Sequence, residues 1–205
     1  MSVVVLISGR GSNLQALLEA DVPVAAVICN VAGAAGLAIA GKRGIPTCVV
    51  SHKEFASRES FDDALAQAID RFSPGLVALA GFMRVLTPGF VECYRNRMLN
   101  IHPSLLPAFP GLNTHQRALA EGVKLHGCSV HFVTADLDHG PIVAQAAIPV
   151  RRDDTAASLA ARVLRQEHVI YPRAVRWFLD GKLVIGNGAV CVKGDDAQLF
   201  FDDSP

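Results

Sequence analysis

The sequence predicts an α/β fold built on a parallel sheet with crossover helices. Short β-branched apolar runs alternate with helical patterns through the first half of the chain. Hydrophobic residues make up 51% and charged residues 19%, which places the chain in the compact globular regime. No internal repeat, low-complexity block or linker interrupts the 205 residues, so a single domain spanning 1–205 is expected, with a core of about 1–180 and a C-terminal extension of about 181–205.

Val3 to Ile7 is the first strand candidate, and "ISGRGSNLQALL" joins it to a first helix through two glycines. Val22 to Cys29, Thr47 to Val50 and Leu76 to Ala80 are the next strands. Between the last two, Phe61, Leu65, Ala68, Ile69 and Phe72 recur at helical spacing, so Ser57 to Phe72 reads as an amphipathic helix. Met98 to His102 forms a strand that runs into a proline-rich loop, and Cys128 to Val133 and Pro141 to Val150 supply two more. Asp153-Asp154-Thr155 starts a long helix toward Leu179, which Pro172 should kink or split. After Gly181 the tail reads as an edge strand or a loosely packed extension, with Phe200 and Phe201 docking on the body.

Nineteen basic residues balance nineteen acidic ones, which removes the general attraction that nucleic acids or anionic membranes exploit. The opening "MSVVVLISGRG" lacks a charged leader and its apolar run is short, so a cytoplasmic protein is expected. Five scattered cysteines without C-x-x-C pairing read as buried free thiols. The seven histidines lack metal-ligand spacing, and no metal is expected.

Three motifs could carry chemistry. In "SGRGSN" the backbone N–H groups of Gly11, Ser12 and Asn13 open a helix N-terminus that suits a phosphate monoester, although an ordinary tight turn has the same pattern. In "NIHPSLLPAFPG" Asn100 and His102 lie two apart on an extended segment, so both heads face one side, and Pro103, Pro107 and Pro110 stiffen the loop beyond them. Either side chain could instead satisfy loop carbonyls, but the C-terminal end of a strand in an open parallel sheet is where ligands bind. In "DLDHGPIV" a carboxylate could be solvated; buried beside His102 it would fix the imidazole tautomer and favour its charged form.

Taken together, "LISGRGSNLQAL", "AGFMRVL", "NIHPSLLPAFPG", "HGCSVHFV", "LDHGPIV" and "RVLRQEHVIYP" resemble the phosphoribosylglycinamide formyltransferases, a folate-dependent family of purine synthesis. The resemblance runs in order from about residue 3 to residue 172. It implies a Rossmann-like, mostly parallel twisted sheet with helices on both faces. It also implies formyl transfer from 10-formyltetrahydrofolate, as co-substrate, to the amine of glycinamide ribonucleotide, without a metal. By the same resemblance Asn100, His102 and Asp138 are the catalytic set, and Gly11, Ser12, Asn13 and Glu167 bind the ribonucleotide. Met83, Arg84, Val85 and Leu86 line the folate site, together with Asn100 and Arg58. The implied partners are small molecules, with neither nucleic acid nor membrane, and the implied state is a monomer or homodimer.

Two departures stand out: Arg10 occupies a variable slot and is expected to face solvent, and His139 follows Asp138 where a small residue is often found. Two relatives share the chemistry. A methionyl-tRNA formyltransferase would need an RNA-binding surface and normally a further C-terminal domain. A formyltetrahydrofolate hydrolase would not need the phosphate loop and usually carries an N-terminal regulatory domain. A non-catalytic nucleotide- or folate-binding module would not need all three catalytic positions filled.

Overall fold

The structure, a computed structural model, describes residues 1–201. Eight strands make a mostly parallel sheet, and two more form a separate hairpin. The chain divides into two compact units, Met1–Asn100 with Val133–Ala135, and Ile101–Phe132 with the segment from Asp136 onward.

In the first unit, strands β1 (Val3–Ile7), β2 (Val24–Cys29), β3 (Thr47–Val49), β4 (Leu76–Leu79) and the start of β5 (Met98–His102) lie in the order β3-β2-β1-β4-β5, all parallel. All five residues of β1 are fully buried, so both faces of the sheet are covered, as continuous apolar strands require. On one face Val4 and Leu6 pack with Phe61, Leu65 and Ile69 of α3 (Arg58–Asp70). On the other, Ile7 abuts Gly36 of α2 (Ala35–Lys42). Ser57 is the N-cap of α3, its hydroxyl accepting from the Ser60 amide, a contact whose loss costs about 1 kcal/mol. The spacing of apolar residues therefore gives this helix its register, and Ser57 fixes where it begins.

In the second unit, β6 (Leu125–Phe132) and β7 (Ile142–Pro149) pair antiparallel. Helix α6 (Ala156–Leu179) starts at Thr155, which caps it through the Ser158 amide. Helix α6 runs as one 24-residue element, so Pro172 does not split it. An interior proline costs about 3 kcal/mol. Leu159, Val163, Ile170 and Val175 are all fully buried, and each contributes roughly 1.5–3 kcal/mol, so packing outweighs the proline. The tail takes the first of the two forms expected, an edge strand that carries Phe200 and Phe201. After a hairpin of β8 (Leu183–Gly186) and β9 (Ala189–Val192), β10 (Leu199–Phe201) pairs parallel with β7. Asp196 accepts from Trp177 Nε1 at 3.2 Å and from Lys182 Nζ at 3.0 Å, and Arg173 lies over the Phe200 ring.

All five cysteines are free, but only Cys29 and Cys128 are buried, while Cys93 and Cys191 are exposed. Among the described residues no helix is long and apolar enough to cross a membrane.

Candidate functional site

The first unit carries the strand-end loops. Gly11 is the N-cap of α1 (Ser12–Glu19) at φ 78°, and a Cβ there would lie 2.6 Å from Gly36 Cα. Only glycine fits that left-handed, crowded position. The first turn of α1 has no acidic residue, and its N-cap makes no side-chain cap hydrogen bond. Ser12 is half-buried, Asn13 buried and Arg10 exposed, as the sequence suggested for Arg10.

The segment Met83–Leu86 is held by three side chains. Met83 N donates to Ser8 Oγ at 2.7 Å, and Ser8 Oγ donates to Asn30 Oδ1 at 2.5 Å. Arg58 Nη2 donates to the carbonyls of Val85, at 3.1 Å, and Leu86, at 3.4 Å. Thr87 N donates to Asp62 Oδ2 at 2.7 Å. Met83 and Val85 are exposed, Arg84 is half-buried, and Leu86 is buried within the apolar core. Arg58 thus shapes this segment, and Leu86 contributes from beneath it.

Asn100 and His102 both lie on β5, Asn100 half-buried and His102 buried. His102 Nδ1 is 3.4 Å from Asp138 Oδ2, and His102 Nε2 donates to the Phe109 carbonyl at 3.0 Å. An oxygen thus lies beside each ring nitrogen of His102. Asp138 sits at φ 56°, a left-handed conformation that Asp tolerates better than most non-glycine residues. Its Oδ2 also accepts from Gly111 N at 2.8 Å, and its Oδ1 is 3.7 Å from His131 Nε2. The structure thus brings together His102 and Asp138, which lie in two separate motifs of the sequence.

The loop after His102 is rigid for more reasons than its prolines. Ser129 Oγ donates to the Ser104 carbonyl and accepts from Leu106 N and Gln145 Nε2. Thr114 Oγ1, on α5 (Thr114–Ala120), donates to the Pro103 carbonyl at 2.7 Å. Sequence reasoning missed Ser129, His131 and Gln145, because they act on this loop's backbone or on Asp138 from β6 and β7. Glu167 is buried on α6 close enough to Cys128 that its charge, after burial itself, pushes the Cys128 thiol well up. His139 is exposed, with Nδ1 donating to the Leu137 carbonyl at 2.7 Å. Among the described residues no cluster of His, Cys, Asp or Glu could hold a metal ion.

Three further histidines of the second unit are held neutral. Burial lowers His131 and His115, and it pushes His126 down to about 4, with charge on neighbouring histidines adding to the effect. A histidine is unperturbed at about 6.5 in the unfolded chain, so between that pH and 4 the unfolded state binds the extra proton. Stability should therefore be complete above pH 6.5 and fall on acidification toward pH 4, by up to about 3 kcal/mol from His126. Urea unfolding between pH 7.5 and 4.5 checks this, and a His126→Phe variant should show a flatter dependence. Stability that stayed level over that range would refute it.

Comparison with known proteins shows the family of the chain. Residues 1–175 match the formyl transferase family. The chain is 49% identical over 200 residues to phosphoribosylglycinamide formyltransferase of Escherichia coli strain K12, covering 95% of this chain and 94% of that one. It is 47% identical over 196 residues to the trifunctional purine biosynthetic protein adenosine-3 of Homo sapiens, covering 92% of this chain and 19% of that larger one. The crystal structure of phosphoribosylglycinamide formyltransferase from Anaplasma phagocytophilum superposes with a TM-score of 0.94 at 44% identity, covering 99% of each chain. With most of its length matched and nearly half its residues identical to a relative of the same size, the chain belongs to the formyl transferase family, among the phosphoribosylglycinamide formyltransferases.

Proposed function

We propose that residues 1–205 act as one catalytic domain that moves the formyl group of 10-formyltetrahydrofolate to the amine of N1-(5-phosphoribosyl)glycinamide, in the cytoplasm. The observation that carries this reading is the buried His102–Asp138 pair, 3.4 Å apart, with Asn100 two residues before His102 on the same strand. Amine attack on the formyl carbon forms a C–N bond and an oxyanion, and donors preset at that oxygen lower the barrier. Asn100 Nδ2 is assigned as such a donor, and protonated His102, held between the Phe109 carbonyl and Asp138, adds positive charge beside the oxyanion. Collapse of the intermediate breaks the bond to the folate nitrogen. The proton lost by the amine reaches that nitrogen through Asp138, directly or by way of water.

The ribonucleotide phosphate is assigned to the amides of Gly11, Ser12 and Asn13, supported by the uncapped N-terminus of α1, and Glu167 is assigned to the rest of that substrate. The folate is assigned to Met83, Arg84, Val85 and Leu86 with Asn100, and Arg58 holds the backbone of that segment. Tetrahydrofolate formation followed by absorbance, with and without glycinamide ribonucleotide, tests the reading. Product that requires the ribonucleotide supports the transferase. Product without it would assign a hydrolase, and none in either case would leave a binding protein.

A further inference from the structure

The tripeptide Phe109-Pro110-Gly111 holds both members of the buried pair through its backbone. The Phe109 carbonyl accepts from His102 Nε2 at 3.0 Å, and Gly111 N donates to Asp138 Oδ2 at 2.8 Å. Phe109 achieves this at φ 55°, a left-handed conformation that an aromatic residue adopts only under constraint. The constraint is visible. The Phe109 ring is buried, with His126 edge-on at 5.8 Å and the Arg117 guanidinium over it at 5.4 Å. Arg117 Nη1 also donates to the Pro110 carbonyl at 2.6 Å.

Arg117 therefore grips the ring of one residue and the carbonyl of the next. Thr114 and Arg117 are three apart on α5 and so share a face, and from that face they hold the two ends of the loop, at the Pro103 and Pro110 carbonyls. A planar guanidinium suits this double duty, because it stacks and donates in one fixed geometry. We propose that Arg117 is a positioning residue for formyl transfer: it fixes Phe109-Pro110-Gly111 so that this tripeptide sets the mutual orientation of His102 and Asp138. The proposal rests on the transferase reading above for its kinetic consequence, but not for its structural one.

The test compares Arg117→Met, which keeps an apolar stem and removes the fork, with Arg117→Lys, which keeps a donor for the Pro110 carbonyl without the flat stack. Displacements on the scale of an ångström cost up to about a hundredfold in rate, so kcat of Arg117→Met should fall roughly tenfold to a hundredfold with little change in KM for either substrate. Arg117→Lys should fall between it and the wild type. Histidine-selective nitrogen-15 NMR should show the Nε2–H of His102 as a hydrogen-bonded donor in the wild type and as a freely exchanging one in Arg117→Met. Urea unfolding of each variant corrects for folded fraction, and if Arg117→Met does not fold, Arg117→Lys decides against the wild type. An unchanged kcat per folded molecule, or unchanged His102 signals, would overturn the proposal. A wild type that lacks transferase activity would sink the functional reading alone, since the His102 signals still decide whether Arg117 sets the ring.

Discussion

His102→Ala is expected to remove formyl transfer, by a thousandfold or more, while ribonucleotide affinity survives. One substitution deletes two contributions: a cation beside the oxyanion, a stabilisation typically worth about a hundredfold to a thousandfold, and a partner for the proton relay, typically about a hundredfold to ten-thousandfold. These are not additive, because the same ring supplies both, so the larger of the two sets the minimum. The substitution also leaves the buried Asp138 carboxylate with Gly111 N but without its imidazole, and some stability is lost as well. Turnover must therefore be referred to folded protein. Phosphate binding is assigned to backbone amides at residues 11–13, which the substitution leaves intact. Calorimetric titration with the ribonucleotide should then give an affinity close to that of the wild type. A folded His102→Ala protein that no longer binds the ribonucleotide would contradict this division of labour.

Asn100→Ala should lower kcat by about a hundredfold to a thousandfold, the usual effect of deleting one oxyanion donor. Asn100 sits in register with Leu79 through backbone pairing, which alanine preserves, and turnover is referred to folded protein as for His102→Ala. The kinetic pattern matters as much as the size. A donor that acts on charge developed in the transition state lowers kcat and kcat/KM together, whereas a group that merely binds folate raises KM. Asn100→Asp is the sharper companion, since a carboxylate of the same shape would repel the oxyanion and should be at least as impaired. Should Asn100→Ala keep its kcat and lose only affinity, Asn100 would be a folate contact and not an oxyanion donor.

Much of the fold could be read from the sequence where one local signal dominates. The strand Met98–His102 is legible to the residue, and Ser57 and Thr155 stand at the helix starts because each offers a hydroxyl to the amide three residues on. Local signals failed where packing overrode them, as at Pro172, and where elements are short. Helices α2, α4 (Pro88–Cys93) and α5 have too few turns to establish a period. The β8–β9 turn was legible and overlooked: Asn187-Gly188 between apolar runs is the strongest short hairpin signal, and both residues have positive φ. At the candidate site, Asn100 and His102 stood out by their spacing on a strand end, whereas Asp138 was singled out from its acidic turn only by the family resemblance. The contributions of Phe109 and Gly111 were not legible, because a carbonyl and an amide are common to almost every residue and acquire a role only through conformation.

The strand β10 has a consequence for the molecule's life in a crowded solution. Without it, the eight residues of β7, six of them apolar, would present an open row of N–H and C=O groups, an invitation to pair with another chain. β10 pairs with Gln145, Ala146 and Ala147, the middle of that edge, and is itself only three residues long, too short to template growth. Gln198 reinforces the cover, donating from Nε2 to the Val143 carbonyl at 2.7 Å and accepting at its backbone carbonyl from Gln145 N at 2.9 Å. The last described residues of the chain thus guard against self-association, and a truncation chosen to spare the chemistry would leave that edge unprotected.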